Sequence, residues 1–213
     1  MTTQRAAASK WRSIHILGFL FLLAGAEPSY SATVGDAGEF IADLGTHAIQ
    51  IMQDSGSSVA DRQQRFQTLM NADFDLPKIA QTVLGRYWQG TSDIERQQFT
   101  DAFADYMSQM YFARFSDYNA GSFRVLKQRV DSERMMVVST EIVPLATGQP
   151  IRVDWNVVRT VDSYKVVDIV ASGASLSQAL REEFSTVIRR SGGVTNLVEL
   201  LKTKVSELTA STQ

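Results

Sequence analysis

The hydrophobic period of this chain changes twice, and those two changes leave few folds open to it. Up to Gly121 the apolar residues recur at helical spacing; from Phe123 to Val170 they alternate; beyond Gly173 the helical spacing returns. A run of short alternating segments held between two helical blocks implies an α+β domain, in which helices cover one face of an antiparallel sheet.

The first block reads as four helices. Phe40, Leu44, Ala48 and Ile51 share one face, and Val59, Phe66, Leu69 and Met70 share another beyond Asp54-Ser55-Gly56-Ser57. Asp75 can cap a third helix with Pro77 in its first turn, carrying Ile79, Val83, Leu84 and Tyr87 and ending between Gly85 and Gly90. Ser92 and Glu95 form a capping box ahead of a long fourth helix of about 24 residues, striped by Phe99, Phe103, Tyr106, Met107, Met110 and Tyr111. Strands are then expected around Phe123 and Val125, around Met135 and Val137, over 151–157 and over 164–170. Asp131-Ser132-Glu133, Thr147-Gly148-Gln149-Pro150 and Asp162-Ser163 supply the turns. Ser175 and Gln178 open a fifth helix that Gly192-Gly193 closes, and a sixth carries Leu197, Val198, Leu201, Val205 and Leu208. The expectation is a four-stranded antiparallel sheet covered by about six helices, in one domain without internal repeat.

The N-terminus has the layout of a secretory signal peptide: Arg5, Lys10 and Arg12 precede an apolar run from Ile14 to Ala26 that contains no acid. That run is short of the roughly 20 residues needed to span a hydrocarbon core. Small residues follow it, so cleavage after Ala26 or after Ser31 is expected, with 1–31 as the leader and 32–213 as the working domain. A cut after Ala26 removes three of the 21 basic residues and none of the 23 acidic ones, for a net charge of about −5. Such a chain lacks the basic footprint that nucleic acid requires. The absence of cysteine excludes disulfides, thiolate metal sites and cysteine nucleophiles.

Several strings in register carry a family resemblance. Phe74-Asp75-Leu76-Pro77-Lys78-Ile79-Ala80, Val83-Leu84-Gly85-Arg86-Tyr87-Trp88, then Gln98-Phe99, Phe103 and Tyr106, resemble the MlaC family of periplasmic phospholipid-binding proteins. Val153-Asp154-Trp155, Tyr164 to Ile169, Gly173-Ala174-Ser175-Leu176, and Phe184 through Ser191-Gly192-Gly193 follow in that family's order. Gly85-Arg86-Tyr87-Trp88 together with Val153-Asp154-Trp155 is most similar to its hopanoid-associated branch. Ser172 departs from the pattern, standing where that family often has an acid. The resemblance implies a sheet-and-helix fold similar to nuclear-transport-factor-like domains, with an internal apolar cavity. It implies a periplasmic shuttle carrying a phospholipid or hopanoid-type lipid as cargo, with no catalysis and no cofactor. The implied partners are an outer-membrane lipoprotein complex and an inner-membrane ABC transporter with its membrane-anchored substrate-binding subunit.

The residues themselves are compatible with that cargo. Two acyl chains of ~16 carbons represent on the order of 25 kcal/mol of apolar exposure in water, which only an enclosed cavity offsets. The expected wall is the inward face of the sheet, Val125, Val137, Val153, Trp155, Val157, Val167 and Ile169, opposite Phe99, Phe103, Tyr106 and Met110 of the long helix. Tyr87 and Trp88 are candidates for the mouth, and Arg86 beside them for a headgroup contact. The same stripes serve equally well to fill a core, and periodicity leaves both readings open. An isomerase-like site of Asp154 or Asp168 with Tyr106 or Tyr111 is the enzymatic alternative, though strand alternation turns Asp154 away from Val153 and Trp155. A third reading is a ligand-free interaction module that binds a partner through its apolar helices; a shuttle must dock as well, and Arg86, Arg114, Arg124, Lys127, Arg129, Arg189 and Arg190 are candidate docking residues. His47 is the sole histidine beyond the leader, which rules out a multi-histidine metal centre.

Overall fold

Side-chain caps set where the helices of this chain begin. A computed structural model describes residues 36–118, 120–144 and 147–211, and the expected leader lies outside them. Asp36 accepts from Gly38 N and starts α1, Ala37–Gln53; Ser58 accepts from Asp61 N at α2, Val59–Asp73; Asp75 accepts from Lys78 N at α3, Leu76–Leu84. Gly85 then breaks the third helix: its φ of 55° and ψ of −121° cannot continue a helix, and a methyl group there would collide with the Arg181 guanidinium. The short α4, Arg86–Gln89, is the result. The Ser92–Glu95 capping box forms as expected, with Glu95 N donating to Ser92 Oγ at 3.3 Å and Ser92 N to Glu95 Oε2 at 3.1 Å, ahead of α5, Asp93–Tyr118.

The strands β1, Ala120–Val130, β2, Met135–Pro144, β3, Ile151–Arg159, and β4, Tyr164–Ala171, lie side by side in chain order. Ser172 and Gly173, both with positive φ, turn the chain into a two-residue fifth strand, β5, Ala174–Ser175, directly before α6, Leu176–Ser191. Gly192 closes α6 in the left-handed conformation, and α7, Val194–Ser211, follows. Among the described residues the sheet is antiparallel throughout, with five strands rather than four, and there are seven helices rather than six. The additional helix follows Gly85 and the additional strand follows Gly173.

Register decides which strand residues face inward. Met136, Val138, Thr140 and Ile142 pair with Val157, Trp155, Val153 and Ile151, so these eight share the inner face. Val137 pairs with Asn156 and therefore points to the opposite face, against expectation. Val167 is also displaced: an irregularity opposite Asn156 and Val157 leaves it unpaired and puts Val166 into the core in its place. In both strands a slip of one residue inverts the assignment.

Helices cover that inner face. α1 lies across β1 and β2, tied down by Gln128, whose amide donates to Asp36 at 2.5 Å and accepts from Gly38 N at 3.0 Å. The α2–α3 junction grips β4, with Asp75 N donating to Val166 O at 2.9 Å and Lys165 Nζ to Ala72 O. α5 stands farther from the sheet, packed on α2, α3 and α7. Gly45 of α1 lets the Phe123 ring approach so closely that a methyl there would stand 2.6 Å from its carbons. Gly45→Ala should therefore lower the melting temperature, the overpacking cost of about 1–3 kcal/mol exceeding the ~1 kcal/mol gained in helix propensity. Thermal unfolding of the two proteins checks this, and an unchanged or raised midpoint would refute it.

Asp73 ends α2, where a carboxylate opposes the helix dipole. Partial burial raises its pKa, with Lys165 and His47 acting the other way. The folded state thus holds the proton more tightly than the unfolded one, and Asp73 costs stability once pH rises through its folded pKa. Asp73→Asn should raise the melting temperature at pH 7 and leave it unchanged at pH 3, where both forms are neutral. An equal shift at both pH values would contradict this.

Candidate functional site: a two-lobed apolar cavity

Between the inner sheet face and the helices the side chains leave a cavity with two lobes. The first is lined by Leu44, Gly45, Ala48 and Met52 of α1, Phe66 and Leu69 of α2, and Phe123 of β1. The second runs along β3 and β4 to the start of α6, past Val153, Ile169, Ala171 and Leu176, with Tyr111 and Arg114 of α5 also lining it. Met70, Phe74, Ile142 and Trp155 belong to both, so the lobes meet there.

Trp155 is the fixed point of this arrangement. Its indole N–H donates to Thr140 Oγ1 at 2.9 Å, and that hydroxyl donates onward to Val153 O at 3.2 Å. Thr140 is fully buried, so the pair satisfies two polar groups that would otherwise be stranded in apolar surroundings. The Phe123 ring meets the indole edge-on at 6.2 Å, completing a rigid partition.

Among the described residues no carboxylate lines either lobe. Asp154 lies on the outer face, and Asp168 accepts from Ser175 Oγ at 2.6 Å and Ser177 N at 3.0 Å, holding the start of α6. Burial raises the Tyr111 hydroxyl, which stays a phenol at neutral pH. The carboxylate-plus-tyrosine site considered from sequence is not assembled in the cavity. Nor do the described residues contain a group of histidine and acidic side chains placed to hold a metal ion.

The expected wall residues divide into three groups. Val153, Trp155 and Ile169 line the cavity, and Val125 packs beside it from the inner face of β1. Phe99 and Phe103 are fully buried in a filled aromatic cluster, stacked at 5.7 Å and each meeting Phe184 of α6 edge-on. Tyr106 tilts against that same ring, Met110 packs on the helical core, and Val157 is buried without reaching either lobe. Of the described α5 residues, Tyr111 and Arg114 line a lobe, while the aromatic stripe farther back packs on Phe184 of α6 and the helix itself on α7.

Arg86, Tyr87 and Trp88 stand apart from both lobes. The Arg86 guanidinium lies 5.0 Å from the Tyr87 ring centre and donates to its hydroxyl at 3.1 Å, and with Arg189 it holds that hydroxyl's pKa down. Trp88 is covered by Arg96 at 5.3 Å. Sequence reasoning missed α1 and α2 as cavity walls: Gly45, Ala48, Met52 and Met70 carry the same periodicity as core residues, and small side chains leave room without announcing it.

A sheet whose inner face and helices enclose such space, walled without a carboxylate, defines a cavity protein of the α+β class. Residues 43–203 match the family model described as MlaC protein, and the chain belongs to the MlaC family, as the strings quoted above led one to expect. Its fold is shared with a phospholipid-binding protein from Ralstonia solanacearum, whose structure was solved in complex with a phospholipid at 1.53 Å resolution. The two are 22% identical, with a TM-score of 0.71 over 82% of this chain and 99% of that one.

Proposed function

We propose that this protein is a periplasmic lipid carrier that takes up one phospholipid, sheathes its acyl chains in the two lobes, and releases it without covalent chemistry. The observation that carries this reading is the cavity, divided at Trp155 into two apolar arms. Membership of the MlaC family and the phospholipid held by the Ralstonia relative support it, and mark the chain as a binding protein rather than an enzyme. The lipid is cargo, not a cofactor. Two arms suit two flexible chains better than one rigid polycycle, so a phospholipid is favoured over a hopanoid-type lipid, and the hopanoid-associated branch is not needed to explain the cavity.

Residues 1–31 would direct export and be removed, leaving 32–213 as the carrier domain. In the envelope the protein would shuttle between an outer-membrane lipoprotein complex and an inner-membrane ABC transporter with its membrane-anchored substrate-binding subunit. Native mass spectrometry of the protein purified from the envelope, followed by lipid extraction, tests the reading. A one-to-one phospholipid adduct is expected; a protein that is empty and stays empty after mixing with phospholipid vesicles would overturn it.

A further inference from the structure

Among the described residues, every side chain lining the two lobes is apolar or uncharged except one. Arg114 lines the second lobe, is exposed, and among the described residues forms no ion pair. It sits at the rim: the neighbouring Ala171, Ala174 and Ala179 are also exposed, whereas Met70, Phe74, Val153 and Trp155 at the inner end are buried. Arg114 follows Tyr111 by one helical turn, so both project from the same side of α5. Asp168, whose charge, like that of Arg114, acts on the Tyr111 hydroxyl, is committed to Ser175 and Ser177 at the start of α6. An arginine that pairs with no acid among the described residues, at the open end of an apolar arm, is suited to hold an anion.

We propose that Arg114 is the headgroup contact of this cavity: its guanidinium binds the phosphate ester of a lipid whose chain enters the second lobe, and so selects phosphate-bearing lipids over neutral ones with identical tails. This inference rests on the lipid-carrier reading and goes beyond it by assigning the selectivity to one side chain. Arg86, the candidate suggested by sequence, is occupied with Tyr87 and lies on neither lobe.

The test offers the full protein vesicles containing equal amounts of phosphatidylglycerol and diacylglycerol with matched chains, and reads the bound lipids by native mass spectrometry. The wild type should favour the phospholipid by about tenfold or more, R114E should lose most of that preference while still accepting diacylglycerol, and R114K should retain part of it. A wild-type preference that persists in R114E, or an R114E protein that loses both lipids equally, would overturn the assignment. A wild type that binds neither lipid would overturn the carrier reading itself. Inorganic phosphate offered alone separates a lipid phosphate from a free one: no stable adduct is expected, and a phosphate adduct abolished in R114E without any change in lipid preference would count against the proposal. Because Arg114 is exposed, the far-ultraviolet circular dichroism of each variant should match that of the wild type.

Discussion

Trp155→Ala should lower the free energy of unfolding by about 3–5 kcal/mol, the largest loss expected from any single cavity residue. The indole is only 6% exposed and lines both lobes, so its removal joins them into a larger void. It also deprives the buried Thr140 hydroxyl of its donor and Phe123 of its edge-on partner. Trp155→Phe separates the two contributions: most of the apolar contact remains while the hydrogen bond is lost, at a cost of about 1–2 kcal/mol. Urea unfolding of the three proteins measures both differences. A Trp155→Ala protein within 1 kcal/mol of the wild type, well below the range for a truncated buried aromatic, would mean that the indole is not structural.

The second large effect is on cargo. Ala48→Phe projects a ring into the first lobe from α1, and Ala179→Phe narrows the second where α6 meets its rim. Neither alanine belongs to the tightly buried core, so both proteins should fold. Displacing one chain of ~16 carbons into water represents on the order of 13 kcal/mol at about 0.8 kcal/mol per methylene, far more than a carrier can forgo. Each variant should therefore carry at least about tenfold less phospholipid than the wild type after purification from the envelope, measured as lipid phosphorus per mole of protein. Wild-type lipid content in both variants would remove the lobes from the binding site. Val157, an expected wall residue, is the wrong place for such a probe, because it is fully buried away from the lobes and an unpaired carboxylate in Val157→Glu would unfold the domain.

The fold was largely legible because period, caps and turns pointed the same way. Ser92 with Glu95, Asp75 before Pro77, and Gly192 after Ile188 each mark a helix end that the structure contains. The outward turn of Asp154 followed from alternation alone. What alternation could not supply was register across the β1–β2 hairpin and at the β4 irregularity, where Val137 and Val167 change sides. The cavity was harder to read. An apolar residue beside a void and one beside a neighbour have the same hydropathy, so Phe99 and Phe103, which fill a core with Phe184, could not be told apart from Trp155, which borders open space. Distinguishing them requires knowing which helix lies on the sheet, and that is a property of the packing of α1 and α2, not of any one segment.

Trp155 also offers the most direct test of the central claim, that acyl chains occupy the space it divides. The chain has three tryptophans, and changing Trp11 and Trp88 to phenylalanine leaves Trp155 as the sole indole. Loading this protein with a phospholipid brominated along its acyl chains should strongly quench the Trp155 emission, whereas the unbrominated lipid should not. Bound brominated lipid, verified by mass, that leaves the Trp155 emission unchanged would place the chains elsewhere and contradict the account.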